Sequence, residues 1–320
     1  MTSAYPTGAR ERDEWILSRR TARHDVDPRQ PYAFLIEEER ANSGTVVPVA
    51  TIFLTNRECP WRCLMCDLWQ NTLTETVPVG AIPAQIDFAL GQLAPARQIK
   101  LYNSGSFFDP RAIPTEEHAV IAARLQAFER VIVECHPALV NDSVLRFRDL
   151  LPGKLEVALG LETVHPGVLS KLNKRMTLEQ FSRAAEFLRQ NEIAWRAFIL
   201  VKPPFLDETE AVHWAKRSID FAFDGGATVA SLIPTRLGNG ALEALAERGE
   251  FSPPRLATLE AAAAYGVALN RGRVFADLWD LENFSDCAEC FATRLERLRE
   301  MNHHQVVLPS VICRRCGTPL

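Results

Sequence analysis

No stretch of the sequence runs for about 18 apolar residues, so no membrane-spanning helix is expected. The leading stretch MTSAYPTGARERDEW lacks the apolar core of a secretory signal, which makes the cytoplasm the expected location and predicts no membrane partner. Charge of one sign is also missing. A formal net charge of −4 and a pI near 6.0 provide no global attraction to nucleic acid or an anionic surface. Lysine is scarce, six of 36 basic residues, a bias of composition and not a site. No internal repeat, heptad seam or low-complexity tract interrupts the chain, and the first strand-to-helix turn has no GxGxxG, which counts against a dinucleotide-binding fold. What is present is 320 residues, 47% of them hydrophobic, enough for one large α/β domain with a small appendage. The eight cysteines, read in a reducing compartment, point to metal more than to disulfides where their spacing is tight.

Residues 1–42 are polar and charged, with apolar islands at Trp15-Ile16-Leu17 and Tyr32 to Ile36. They read as a helical or irregular segment that docks on the main domain. Six arginines between Arg10 and Arg29 alternate with five acidic residues, as a solvated face would. From residue 43 to 275 apolar runs alternate with amphipathic ones. Strands are predicted at Val46–Leu54, Ile99–Tyr102, Arg130–Glu134, Leu155–Leu161, Ala194–Val201 and Ala227–Ile233. Helices are predicted at Ile82–Leu93, Glu116–Phe128, Leu178–Arg189, Glu208–Phe223 and Leu256–Leu269. Six strand–helix units predict a partial (β/α)6 TIM-like barrel, with chemistry at the C-terminal ends of its strands; a doubly wound open sheet is the competitor.

The first strand runs into TNRECPWRCLMCDLW, which places Cys59, Cys63 and Cys66 in a CxxxCxxC loop. Thiolates are the usual ligands of iron–sulfur clusters. Three of them can hold three irons of a 4Fe–4S cubane and leave the fourth iron open to an outside ligand. A structural zinc site normally takes four protein ligands, and only Asp67 lies nearby. Zinc completed from afar, or three incidental thiols, is the alternative.

This cysteine loop resembles the signature of the radical S-adenosylmethionine (SAM) superfamily. The resemblance implies a 4Fe–4S cluster on Cys59, Cys63 and Cys66 whose open iron binds SAM, and reductive cleavage of SAM to a 5′-deoxyadenosyl radical. It implies an external reductant such as flavodoxin or ferredoxin. Met65 departs from the aromatic residue that many members carry before the third cysteine. Ser104-Gly105-Ser106, after the second strand, is similar to the turn that contacts the SAM amino group, with Ser106 in place of an acidic residue. Gly160-Leu161-Glu162-Thr163 is similar to a motif of Elongator-type and methylthiotransferase-type members, which implies that Glu162 holds SAM. Lys174 and Arg175 follow where relatives carry a cation for the SAM carboxylate, and Arg175 is the expected ligand.

Three stretches, NSGSFFDPRAIP, VIVECHP and FILVKPPFLDETEA, look like the branch that contains the radical SAM subunit of archaeosine synthase. That branch implies modification, or C–N bond cleavage, of a 7-deazaguanine-like or other nitrogen-bearing small molecule or nucleoside. An alternative within it is a tRNA-modifying subunit working with a partner protein. A non-catalytic iron–sulfur or zinc scaffold is the alternative from another class. Phe107, His136 and Lys202 are the expected substrate contacts, with Phe108, Asp109, Phe205 and Arg236 also following strand ends. Cys135, outside any cluster, reads as a small buried hydrophobe.

The last segment, 276–320, carries DCAEC and CRRC, two CxxC knuckles separated by 22 residues. Cys287, Cys290, Cys313 and Cys316 therefore form a predicted metal-binding extension for Zn2+ or a second 4Fe–4S cluster. A helix is predicted at Arg294–Met301 and a strand at Gln305–Leu308 between the knuckles.

Overall fold

Seven parallel strands and one antiparallel edge strand make a single sheet in the computed structural model, which describes residues 5–317. In chain order they are β1 (Ala33–Arg40), β2 (Val46–Phe53), β3 (Gln98–Tyr102), β4 (Arg130–Cys135), β5 (Lys154–Glu162), β6 (Ala194–Val201), β7 (Val229–Pro234) and β8 (Arg273–Ala276). Strand neighbours in the sheet follow chain order from β1 to β8, and every pair from β2 onward is parallel. The helices are α1 (Ala9–Leu17), α2 (Ala81–Leu90), α3 (His118–Arg124), α4 (Asp142–Arg148), α5 (Pro166–Lys171), α6 (Leu178–Gln190), α7 (Glu208–Asp224), α8 (Ala241–Ala246), α9 (Leu256–Leu269) and α10 (Ala288–His304). This is a partial barrel, as the alternation predicts, with a four-cysteine cluster at its C-terminal end. Among the described residues no helix is long and apolar enough to cross a membrane.

Local chemistry explains where the helices begin. Thr177 and Asp207 start α6 and α7 with reciprocal capping boxes, each paired with the residue three further on, Gln180 and Glu210. Outward strand residues such as Ile52, Leu101, Val133, Leu159, Ile199 and Leu232 are completely buried and form the main core under the helices.

The inward face obeys a different rule. Its lower layer is ionic: Arg196 contacts Glu39 at 2.8 Å and Glu156 at 2.5 Å, Lys100 contacts Glu39 at 2.6 Å and Glu37 at 3.0 Å, and Arg130 reaches Glu156 at 3.2 Å. Arg273 completes the layer by donating to the Arg40 carbonyl at 2.8 Å, spanning the open side between β8 and β1. Above this floor the wall is aromatic. Ring centroids are separated by 6.1 Å for Phe53–Tyr102, 5.9 Å for Tyr102–Phe198 and 6.2 Å for Phe53–Trp279.

Three features differ from the sequence reading. Residues 33–40 are not a docking segment but an edge strand, paired antiparallel with β2 from Ala33↔Phe53 to Arg40↔Val46. A parallel strand, β8, extends the predicted set of six. Residues 305–308 form no strand, because Gln305 ends α10 in the left-handed region (φ 55°) and its amide bonds both N–H and C=O of Val274.

Candidate functional site

The cysteine loop leaves β2 at the C-terminal rim and is pinned by two asparagines from distant parts of the chain and by an arginine of its own. Asn173 Nδ2 donates to the Arg62 carbonyl (2.8 Å), Asn239 Nδ2 to the Leu64 carbonyl (2.8 Å), and Arg62 Nη1 to the Cys59 carbonyl (2.7 Å). Leu64 is fully buried against Ile16, Leu242 and Leu245. Trp61 lies flat on His136, with centroids 3.7 Å apart and planes 10° from parallel. Glu58, just before the first cysteine, gathers Arg20 (2.7 Å), Arg62 (3.0 Å) and Arg23. Burial would raise its pKa, but the arginine hydrogen bonds and charges hold it below the usual carboxylate range. The loop is thus fixed before any cofactor binds, and Cys59, Cys63 and Cys66 keep partial exposure.

Two further strand ends meet this loop. The Ser104-Gly105 turn after β3 hangs on Glu134, which accepts the backbone N–H of Asn103 (2.5 Å) and of Gly105 (3.2 Å). Burial pushes the Glu134 carboxyl up to about 6, against those hydrogen bonds. A Cβ on Gly105 would meet the Cys59 Cβ at 3.1 Å, so glycine permits the close approach of turn and loop. At the end of β5, Glu162 adopts φ 64° and its Oε1 accepts from Lys174 Nζ at 2.5 Å. A Cβ on Gly160 would collide with this pair. Burial would lower the Lys174 pKa, but Glu162 and then Cys63 raise it overall. Protein around the three cysteines pushes each thiol up to about 12, opposed for Cys59 and Cys63 by the Lys174 charge.

No family model matches the sequence. Two archaeosine synthase β subunits align with it: that of Methanosarcina acetivorans at 28% identity, over 67% of this chain and 65% of that protein, and that of Thermococcus kodakarensis at 33%, over 49% and 51%. The chain thus spans between half and two thirds of the length of these relatives. Among solved structures, methylornithine synthase superposes with a TM-score of 0.50 at 13% identity, covering 69% of this chain and 64% of that one. The fold is that of the radical SAM enzymes.

A radical SAM core needs three thiolates around one open iron, and the observed loop fits that group. Its three cysteines lie on one pinned loop, a lysine charge reaches two of them, and the glycine turn comes up against Cys59 with no side chain between them. No fourth cysteine joins them among the described residues. Cys135 is 3% exposed and receives the Ser106 hydroxyl at 3.4 Å, as expected of a buried small residue.

Several expected contacts lie elsewhere. Arg175 pairs with Asp13 (2.7 Å) and the Ala9 carbonyl (2.6 Å), so it clamps α1; Lys174 is the buried lysine whose charge reaches both Cys59 and Cys63. Phe107 is completely buried in a cluster with Phe108, His118 and Phe147, behind the rim. Lys202 spends its ammonium on Ser252 Oγ (2.6 Å), the Ser252 carbonyl (3.0 Å) and Glu208 (3.0 Å), tying β6 to the loop before α9. Ser104 Oγ meets Tyr32 Oη at 3.0 Å, whereas the Ser106 hydroxyl faces Cys135 and the His136 N–H. The sequence reading places Lys174 beside Arg175 as a candidate cation and takes Arg175 as the ligand; Glu134 and the luminal aromatics escape it. Their signal was period-two alternation on β3, β4 and β6, which places Tyr102, Glu134 and Phe198 inward.

His136 supports the loop through its ring. Nδ1 accepts the Ala138 N–H (3.1 Å), which leaves Nε2–H to donate to the Lys174 carbonyl (3.1 Å). Burial, and then the Lys174 charge, push its pKa down to about 3. The unfolded chain binds this proton near pH 6.5 and the folded chain only near 3, so His136 makes stability rise with pH through that window and fall on acidification below 6.5. NMR of the ring is expected to show no titration between about pH 5 and 8; a midpoint near 6.5 would contradict this role.

The C-terminal cysteines form the second site. All four Sγ atoms lie within 4.8 Å of one another. Cys287 pairs with Cys313 at 3.9 Å and Cys290 with Cys316 at 3.6 Å.

Proposed function

We propose that this chain is a radical SAM enzyme that reductively cleaves SAM and acts on a nitrogen-bearing base. The observation that carries the reading is the pinned rim loop that presents Cys59, Cys63 and Cys66, with no fourth thiol beside them among the described residues, next to the Glu162–Lys174 pair. With its open iron and bound SAM, a 4Fe–4S cluster on these thiolates supplies a 5′-deoxyadenosyl radical for hydrogen abstraction. The protein's part is to bind and orient. Lys174 offers its charge to a carboxylate, Glu162 and the Glu134-held turn offer acceptors to an amino group or a ribose, and the pinned loop keeps the cofactor in one pose. Below them Phe53, Tyr102, Phe198 and Trp279 offer a stacking wall to a planar ring.

The two relatives are β subunits of archaeosine synthase, which supports archaeosine-type chemistry with a second subunit as partner; the sequence resemblance to that branch implies a 7-deazaguanine-type base, C–N bond cleavage and tRNA as carrier. A free nitrogenous metabolite is the competing substrate class, favoured by the acidic net charge of −4. A cytoplasmic flavodoxin or ferredoxin is the proposed reductant. The test incubates anaerobically reconstituted protein with SAM and dithionite and measures 5′-deoxyadenosine and methionine. Formation of both is expected; iron-loaded protein that leaves SAM intact would refute the enzyme and favour an iron–sulfur scaffold. Binding to tRNA that weakens by about 10³-fold or more between 50 and 200 mM salt would favour the tRNA branch. Salt-insensitive turnover of a free base would favour the metabolite.

A further inference from the structure

The spacing of the four C-terminal sulfurs decides between the two occupants that their sequence pattern admits. We infer that Cys287, Cys290, Cys313 and Cys316 hold a single tetrahedral Zn2+ ion and not a second iron–sulfur cluster. A Zn–S bond of about 2.3 Å in a tetrahedron puts neighbouring sulfurs about 3.8 Å apart. The observed pairs stand 3.9 and 3.6 Å apart, and no Sγ is further than 4.8 Å from any other. A cubane places each thiolate on a different iron, so its sulfurs are separated by an iron–iron edge plus two outward bonds, and four irons do not fit within this sulfur cage. Each close pair takes one sulfur from each CxxC, so both knuckles contribute to one compact sulfur cage.

The surroundings suit a site that staples the chain. Cys287 precedes α10 and Cys290 lies in its first turn, while Cys313 and Cys316 return on a strap without regular structure. Arg297, further along α10, holds that strap by donating to the carbonyls of Leu308 and Pro309, each at 2.8 Å. Arg294, one turn from Cys290, is fixed against Glu260 of α9 at 3.0 and 2.5 Å. Cys287, Cys290 and Cys313 are buried, and Val311 packs against them. An ion here fastens the strap to α10, and through α10 to α9 and the barrel. Four thiolates leave no open coordination position, so the ion stabilises structure and takes no part in chemistry.

The full chain, purified without added metal, is the sample, and zinc and iron are counted by plasma mass spectrometry. About one zinc per chain is expected, retained when Cys59, Cys63 and Cys66 are all changed to Ala, and reduced by about tenfold or more in Cys287→Ser/Cys313→Ser. Iron that follows Cys287 and Cys313, with no zinc, would overturn the inference, as would a chain whose C-terminal cysteines retain no metal. Should the double variant fail to fold, cobalt exchanged into the native chain gives the readout: intense thiolate-to-cobalt absorption with four-coordinate bands supports the site, and a weak six-coordinate spectrum overturns it. Zinc bound without SAM cleavage would sink the enzyme reading alone, whereas SAM cleavage without zinc would sink this one alone.

Discussion

Changing Cys59, Cys63 or Cys66 singly to Ala is expected to reduce 5′-deoxyadenosine formation to background, by more than about a hundredfold. Loss of an outer-shell partner at a metal site costs about 10–100-fold, and loss of a ligand that holds the cluster exceeds that range. The same variants should keep the fold. The loop does not depend on its thiols for shape, because Leu64 is anchored in a small core, Trp61 rests on His136, and Asn173 and Asn239 hold the loop carbonyls. Circular dichroism and urea unfolding of each variant should therefore stay close to those of the native iron-free chain while iron content collapses. Variants that unfold along with losing iron would show the cysteines to be structural and remove the argument for a preformed cofactor site. Variants that retain full SAM cleavage would place the cluster elsewhere.

The loop was legible in the sequence because close cysteine spacing survives any error in placing elements. The strands β2 to β7 were legible because their outward faces are apolar and turn polar at the rim, and α9 was predicted with the bounds observed. β1 was not. Its sequence, AFLIEEER, ends in charge, and a charged run normally signals a solvated face. Inside this barrel the rule inverts, because Glu37 and Glu39 point at Lys100 and Arg196, and the strand's polar half faces the lumen. The different placement of Arg175 and Lys174 has a local cause. Arg175 takes a left-handed backbone (φ 58°), and its side chain leaves toward Asp13, while Lys174 stays under the rim. Adjacent cations in a turn carry no signal of which one faces inward. Phe107 shows the same ambiguity: an aromatic residue after a glycine turn can face the lumen or the helices, and here it meets Phe147 of α4 at 4.8 Å.

The ionic floor that hid β1 is also the place where one substitution should cost most. Arg196 is 2% exposed and bridges Glu39 to Glu156, while Lys100, Arg130 and Arg273 each contact these carboxylates less completely. Removing one partner of a buried pair leaves an uncompensated charge, so Arg196→Leu is expected to lose about 3–5 kcal/mol in urea unfolding at pH 7. Burial by itself would raise the pKa of Glu39 and Glu156, yet the surrounding cations, Arg196 first, hold both below the ordinary glutamate value. Carboxylates depressed in the folded state contribute stability that is fully present above the unfolded pKa, about 4.3, and is lost as pH falls through the lower folded values. Without Arg196 both folded pKa values climb, the two carboxyls become easier to neutralise, and the penalty shrinks on acidification. The gap between native and variant protein should therefore be widest at neutral pH and narrower at pH 4. A gap below about 1 kcal/mol at pH 7 would mean that Lys100, Arg130 and Arg273 suffice to hold the floor. A gap unchanged at pH 4 would mean that Arg196 acts through packing of its stem and not through its charge.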